Sequence, residues 1–371
     1  MSALEAEIAR LIADEGPMPV SRYMAVCLGH PRHGYYMTRD PFGAAGDFTT
    51  APEISQMFGE MLGLWAAHLW QAMGAPSRLA LIEIGPGRGT LMADTLRATQ
   101  IVPGFRAAAS VHLVETSPVL RDIQAQTLAG KAEPCWHDRV ETALDGPVIA
   151  VANELLDALP LDQFVMTREG WRERLVGLDG EGRLAFGLGD VLGGGTLAGE
   201  VFPAMTGQEG AVLEQPTAAL RLVSEVAGHV ARCGGGALFV DYGSHHTGFG
   251  DTLQAMRRHE FVDPLAEPGE ADLTVHVDFA RVAQAGLRAG AAVHGPATQR
   301  DFLLALGLAE RAQVLCGRAT PEQAQAIGAA FDRLTERGET GMGELFKVLA
   351  LSHPGLPLLP GFDLHRLPEQ G

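Results

Sequence analysis

A buried strand that runs through three alternate glycines into a helix leaves a chain few folds to adopt, and residues 81–97, LIEIGPGRGTLMADTLR, read that way. The stretch RLALIEIG is nearly all apolar, as in a strand covered on both faces. Gly85, Gly87 and Gly89 remove Cβ at the bend, so the backbone turns sharply and a ligand can reach the main chain. The helix that follows begins with N–H groups that have no intrahelical partner.

Further strands are predicted at 110–116 (SVHLVET), 132–136 (AEPCW), 146–153 (GPVIAVAN) and 234–243 (GGGALFVDYG). A helix carrying Leu220, Val223, Val226 and Val230 precedes the last of these. Strand and helix alternating in this way predict a doubly wound α/β sheet with ligands at the carboxyl ends of its strands. Residues 161–215 interrupt the alternation. There DQFVMT, WRERLVGLD and RLAFGLG, separated by Gly-Glu turns, predict an antiparallel β-meander.

Residues 1–78 read as helical with one long loop. Ser2 and Glu5 have capping-box spacing, and Leu4, Ile8, Leu11 and Ile12 form a stripe that stops at Gly16-Pro17. A short helix is expected at 20–28, then a loop rich in Gly, Pro and aromatics. Thr50 and Glu53 then repeat the capping-box spacing before a helical pattern that reaches Gly74. Late in the chain, 321–337 reads as a helix opened by Thr320 and ELFKVLALS as a strand. The expected organisation is a helical region at 1–78 with a lid loop, and a Rossmann-like domain at 79–371 interrupted by the 161–215 insertion.

Composition removes several classes. The 371 residues carry 28 basic against 45 acidic side chains, a net charge of −17 that argues against a nucleic-acid groove. No apolar run approaches the roughly 18 residues of a membrane span, so no membrane insertion is expected. The start, MSALEAEIAR, lacks the basic character of a signal or transit peptide. Four scattered cysteines form no CxxC pair. Together these features lead to the expectation of a cytoplasmic location.

Three ligand classes use a glycine turn of this kind. A P-loop needs a lysine that does not follow here, and a dinucleotide fold wants a small third residue where Thr90 stands. The remaining class has an acid before the turn, Glu83, and another at the end of the next strand, Glu115. That arrangement is similar to class I S-adenosylmethionine-dependent methyltransferases. Their cofactor carries a sulfonium and an ammonium instead of a pyrophosphate, so the turn needs carboxylate and backbone acceptors.

Taken together, GDFTTAPEISQMFGE (46–60), EIGPGRGTLMADTLR (83–97), NELLDALP (153–160), VDYG (240–243), HVDF (276–279) and GPATQRDFL (295–303) resemble the MidA-like methyltransferases. The motifs span nearly the whole chain in order. The resemblance implies a Rossmann-like methyltransferase fold with S-adenosyl-L-methionine as cofactor. It further implies relation to a mitochondrial complex I assembly factor, a protein arginine methyltransferase that symmetrically dimethylates a subunit of complex I.

Candidate residues follow from the chemistry. A guanidinium acceptor stays protonated in solution, so carboxylates must grip it and take a proton. Asn153, Glu154 and Asp157 stand where the acceptor should lie, and a helical turn there would put Glu154 and Asp157 on one face. Glu83, Gly85, Gly87, Arg88, Gly89 and Glu115 are expected at the cofactor, with Trp136, His137 and Asp138 near its adenine. Arg88 would meet the cofactor carboxylate or a neighbouring acid. Asp47 and Thr50 are expected to reach the cofactor, and Tyr35, Tyr36, Phe48 and His276 the substrate channel. His276 with Asp278 is either an acid–base pair or a structural one. No metal-ligand signature is present. Expected partners are a protein with an exposed arginine and a second copy of the chain in a homodimer. A small-molecule O- or N-methyltransferase and a cofactor-binding assembly chaperone stay open as alternatives.

Overall fold

The apolar runs become strands of one mixed sheet in the computed structural model, which describes residues 2–41, 50–192, 207–338 and 340–362. Across the sheet the order is Ala292–Thr298, Phe346–Ser352, Gly235–Ser244, Val148–Asn153, Leu79–Ile84, Ala109–Val114 and Cys135–His137. The last five are parallel. Phe346–Ser352 runs antiparallel to both its neighbours. The chain winds outward from Leu79–Ile84 to Cys135–His137, then returns to pair Val148–Asn153 on the other side. The carboxyl ends of those two central strands are therefore a topological switch point, where open α/β sheets bind ligands.

Both faces are covered, which is why the strands carry apolar residues without alternation. Leu81, Ile149, Val151, Leu238 and Val240 share a core with the helix Gln56–Ala72. On the other face the helix Phe279–Arg288 approaches so closely that a Cβ on Gly286 would lie 2.5 Å from Leu351 Cδ2. Residues 292–298, which the sequence did not suggest as a strand, form the sheet edge. Pro296 lies in a register shift between His294 and Ala297, which an edge position tolerates. The strand expected at 132–136 shrinks to Cys135–His137.

The helical pattern that follows Thr50 is two helices, Ala51–Ile54 and Gln56–Ala72. Ser55, in extended conformation, ends the first and caps the second by accepting from Met57 N. The capping box expected at Thr50 and Glu53 does not form: Thr50 makes no side-chain cap. The box at Ser2 and Glu5 does form.

Helix Gln56–Ala72 also holds the helix after the glycine turn. A Cβ on Gly59 would lie 2.7 Å from Asp94 Cβ, and one on Gly63 would lie 2.8 Å from Thr95 Cα, so two glycines one turn apart let the backbones touch. Ion pairs flank this contact. Glu60 takes Arg311 in two bonds of 2.7 and 2.9 Å and Arg97 at 3.2 Å, and Arg97 reaches Asp94 at 2.9 Å.

Two compact units result, and they do not follow the division expected at residue 78. One comprises residues 40–157, 220–246 and 277–371 and contains the mixed sheet; the other comprises 1–39, 158–219 and 247–276. Within the second, Asp162–Thr167, Gly170–Leu178, Leu184–Val191 and Val212–Gln215 make the expected antiparallel meander. Met18–Pro19 adds to its edge, and the helices Ala3–Glu15 and Val20–Gly29 pack on it. A second, three-stranded sheet is built from Gln254–Arg257, Glu260–Val262 and Asp272–Thr274. Among the described residues no helix is long and apolar enough to cross a membrane.

The helix contact yields a prediction. Gly63→Ala must push against Thr95 backbone, and overpacking of this kind costs about 1–3 kcal/mol. The variant is expected to melt several degrees below the wild type; an unchanged melting temperature would show that the two helices separate freely.

Candidate active site

At the switch point a cleft is lined from three directions: by Thr50 and Glu53, by the glycine turn with Glu83 and Arg88, and by Asn153 with Glu154. Gly85, Gly87 and Gly89 all have left-handed backbone, with φ of +70°, +50° and +80°. Side chains strain at such angles, so the bend is specified by glycine. Gly85 and Gly87 line the cleft, while Gly89 stands at the start of the helix Thr90–Ala98.

Two buried oxygens of the lining residues, Glu83 Oε2 and Asn153 Oδ1, have no hydrogen-bond partner. Burial pushes the Glu83 carboxyl up to about 8, partly offset by a bond from Met92 N–H. Unpartnered acceptors beside a carboxyl fit a ligand that carries positive charge and N–H donors. A sulfonium cofactor with an ammonium group meets that demand; a polyphosphate does not.

Glu154 also lines the cleft, with φ +51°, a left-handed angle rare for a residue with a side chain. Its Oε1 accepts from Ala51 N–H at 3.0 Å and Asn153 Nδ2 at 3.1 Å. Burial foremost, with the nearby Asp157, raises its carboxyl to about 7. The helix that would have put Glu154 and Asp157 on one face does not form. Instead, buried Asp241 Oδ2 accepts from the N–H groups of Leu155, Leu156 and Asp157 at 3.1, 2.8 and 3.3 Å, and only a short 3-10 turn Leu156–Ala158 forms. Burial and the charges of Asp157 and Glu154 push the Asp241 carboxyl well up.

The remaining expectations divide. Arg88 meets neighbouring acids, Asp40 at 3.3 Å and Glu53 at 3.4 Å. Glu53 also accepts from Thr90 Oγ1 at 2.5 Å, so it serves the cleft instead of a capping box. Glu115 is half-buried and accepts from Thr116 N and Ser117 N at 2.8 Å each, and burial raises its carboxyl. Trp136 donates from Nε1 to Gln124. The His137 ring is taken by His112 at 2.9 Å and Thr142 at 3.1 Å, and Asp138 is exposed and paired with Arg121 at 2.6 Å. Neither lines the cleft.

Tyr35, Tyr36 and His276 belong to the unit that contains the meander. There Tyr35 is buried edge-on against Tyr36, and Tyr36 donates to Asp272 Oδ2 at 2.8 Å. His276 N–H bonds to Thr252 Oγ1, and Asp278 caps the helix Phe279–Arg288 by accepting from Arg281 N–H. Asp47 and Phe48 lie outside the described residues. Among the described residues no group of three His, Cys, Asp or Glu could hold a metal ion.

Sequence reasoning missed Asp241 and Gln124. Each left a signal, an acid inside the apolar strand GALFVDYG and a glutamine in the buried stripe Leu120, Gln124, Leu128.

Known proteins agree with this chemistry. A family model of S-adenosyl-L-methionine-dependent methyltransferases matches residues 61–297. The protein arginine methyltransferase NDUFAF7 homolog of Drosophila melanogaster, a mitochondrial protein by name, is 36% identical across 95% of this chain and 85% of its own. Human NDUFAF7, likewise named mitochondrial, is 35% identical across 92% of this chain and 81% of its own. These mitochondrial relatives overturn the expected cytoplasmic location. A protein of Burkholderia thailandensis, solved bound to S-adenosyl-homocysteine, superposes with a TM-score of 0.83 at 32% identity, covering 97% of this chain and 94% of that one. The chain thus belongs to the S-adenosyl-L-methionine-dependent methyltransferases, with their Rossmann-like α/β fold and their cofactor.

Proposed function

We propose that this methyltransferase modifies an arginine side chain of a protein, symmetrically dimethylating a subunit of respiratory complex I or of its bacterial counterpart. The observation that carries the reading is Glu154: a buried carboxyl raised to about 7, lining the same cleft as the glycine turn. Support also comes from the relatives named protein arginine methyltransferases. The substrate subunit rests on the resemblance of the sequence motifs alone.

When bound, the cofactor supplies an electrophilic methyl group on a sulfonium. Glu83 and Asn153 would hold its cationic groups with their unpartnered oxygens, and Glu115 would take the ribose hydroxyls. An arginine reaching Glu154 would find a carboxylate already fixed by Ala51 N–H and Asn153. Glu154 localises the guanidinium charge and accepts the proton that leaves as the nitrogen is methylated. A carboxyl near 7 is well matched to that task, because it is both ionised enough to bind and basic enough to take a proton. Asp157 and Asp241 keep it there. The charge of Asp157 opposes ionisation of Glu154, and the hydrogen bonds of Asp241 hold the backbone turn behind it.

Two predictions follow from these carboxyls. Methyl transfer to protein should fall as pH drops below about 7, where Glu154 protonates. Glu154→Gln should lose about 10²–10⁴-fold in rate, the usual size of a general-base contribution, while S-adenosyl-homocysteine binds as before. The assay uses labelled cofactor with a cell lysate and reads dimethylarginine after hydrolysis of the protein fraction. Label confined to small molecules would reject the protein acceptor.

The second prediction concerns Glu83. The folded chain holds its proton up to about pH 8, whereas the ordinary carboxyl releases it near 4.5. Between these values the folded state binds more protons than the unfolded one, so stability falls as pH rises. Glu83→Gln should make the decline in melting temperature from pH 5 to 8 shallower; an unchanged slope would mean that the buried carboxyl is ionised throughout.

A further inference from the structure

Gln124 is fully buried, on the inward stripe of the helix Pro118–Leu128 between Leu120 and Leu128. A buried amide is costly unless its bonds are made, and this one makes three. Nε2 donates to Gly87 O at 2.8 Å and to Glu115 Oε2 at 3.2 Å, and Oε1 accepts from Trp136 Nε1 at 2.9 Å. The carbonyl and both hydrogens of the amide are thereby used. These bonds tie together the glycine turn, the end of the strand Ala109–Val114 and the end of Cys135–His137. Gly89 packs on the same residue, since a Cβ there would lie 3.5 Å from Gln124 Cα and Cγ.

We infer that Gln124 is a positioning residue for the adenosine end of the cofactor, locking the Glu115 carboxylate and the Trp136 ring to the glycine turn. The inference rests on the reading that this turn seats the cofactor. A hydrocarbon of equal length could fill the same space, so packing alone does not call for an amide. Its polarity is spent on three groups, the Gly87 carbonyl, the Glu115 carboxylate and the Trp136 ring, that come from three separate segments. Without it, Glu115 would keep only its two backbone donors, Trp136 Nε1 would lose its acceptor, and Gly87 O its donor.

The test is calorimetric titration of the full chain with S-adenosyl-homocysteine and with methylthioadenosine, which lacks the amino-acid end. Gln124→Met keeps the volume and removes the three bonds. It should raise the Kd of both ligands by the same factor, about tenfold, because the loss lies at the part they share. Gln124→Glu sets an acceptor against Glu115 and should lose more. Combined with Glu115→Gln, the effect of Gln124→Met should be smaller than in the wild-type background, since part of it acts through Glu115. A Kd within twofold of wild type, strict additivity, or a loss for S-adenosyl-homocysteine alone would each overturn the inference. So would failure of both Gln124 variants to fold, which would mark a core residue. If Glu115→Gln alone binds as wild type, the seat itself is misplaced, and that result is distinct from a failure of Gln124 beside a sensitive Glu115.

Discussion

Three left-handed residues within five, at the end of the strand Leu79–Ile84, set the terms for everything around them. The helix Thr90–Ala98 follows the bend directly and has to be held close for the bend to keep its place. Gly59 and Gly63 supply that closeness by letting backbone meet backbone, and the ion pairs of Glu60 with Arg97 and Arg311 close the flank. Substituting a larger residue on either side of this stack would move the turn, even though neither helix face touches a ligand.

Across the cleft the constraint is electrostatic. Glu83, Glu154, Asp157 and Asp241 are four acids brought out of water within one site, and burial is the first cause of each raised carboxyl among Glu83, Glu154 and Asp241. Without cationic ligands such a group keeps protons that isolated carboxyls would lose. Charge arriving with a cofactor or an acceptor can then replace those protons, so binding and protonation are coupled at this site. Asp241 has a second task, since its four backbone hydrogen bonds, three to residues 155–157 and one from Tyr242 N–H, hold the strained residue Glu154 in place.

Much of the fold was legible in the sequence. The strands that follow apolar runs and the glycine turn could be read because each depends on local pattern, and Glu83, Glu115 and the segment 153–157 were singled out from their position relative to a strand end. What escaped depends on tertiary contacts. Thr50 and Glu53 carry capping-box spacing, yet Glu53 is recruited by Thr90 and Arg88, which come from 35 residues and more away in the chain. His137 and Asp138 follow the right strand, but strand-end position does not reveal that His112, Thr142 and Arg121 already occupy them. The edge strand 292–298 was hidden by Pro296, which reads as a breaker unless one knows that an edge is available. Gln124 and Asp241 were visible only as polar letters in apolar patterns.

The two compact units exchange the chain at 39/40, 157/158, 219/220, 246/247 and 276/277. Neither is a continuous stretch that a ribosome could finish before starting the other. The parallel pairing of Val148–Asn153 with Gly235–Ser244 must wait until the whole meander has been synthesised. Assembly of this enzyme is therefore dominated by contacts between distant residues, the regime of slow folding and prolonged exposure of unpaired strand edges. Cutting the gene at any of the inner borders, 157/158, 219/220 or 246/247, splits both units, so neither can be shuffled as an uninterrupted cassette.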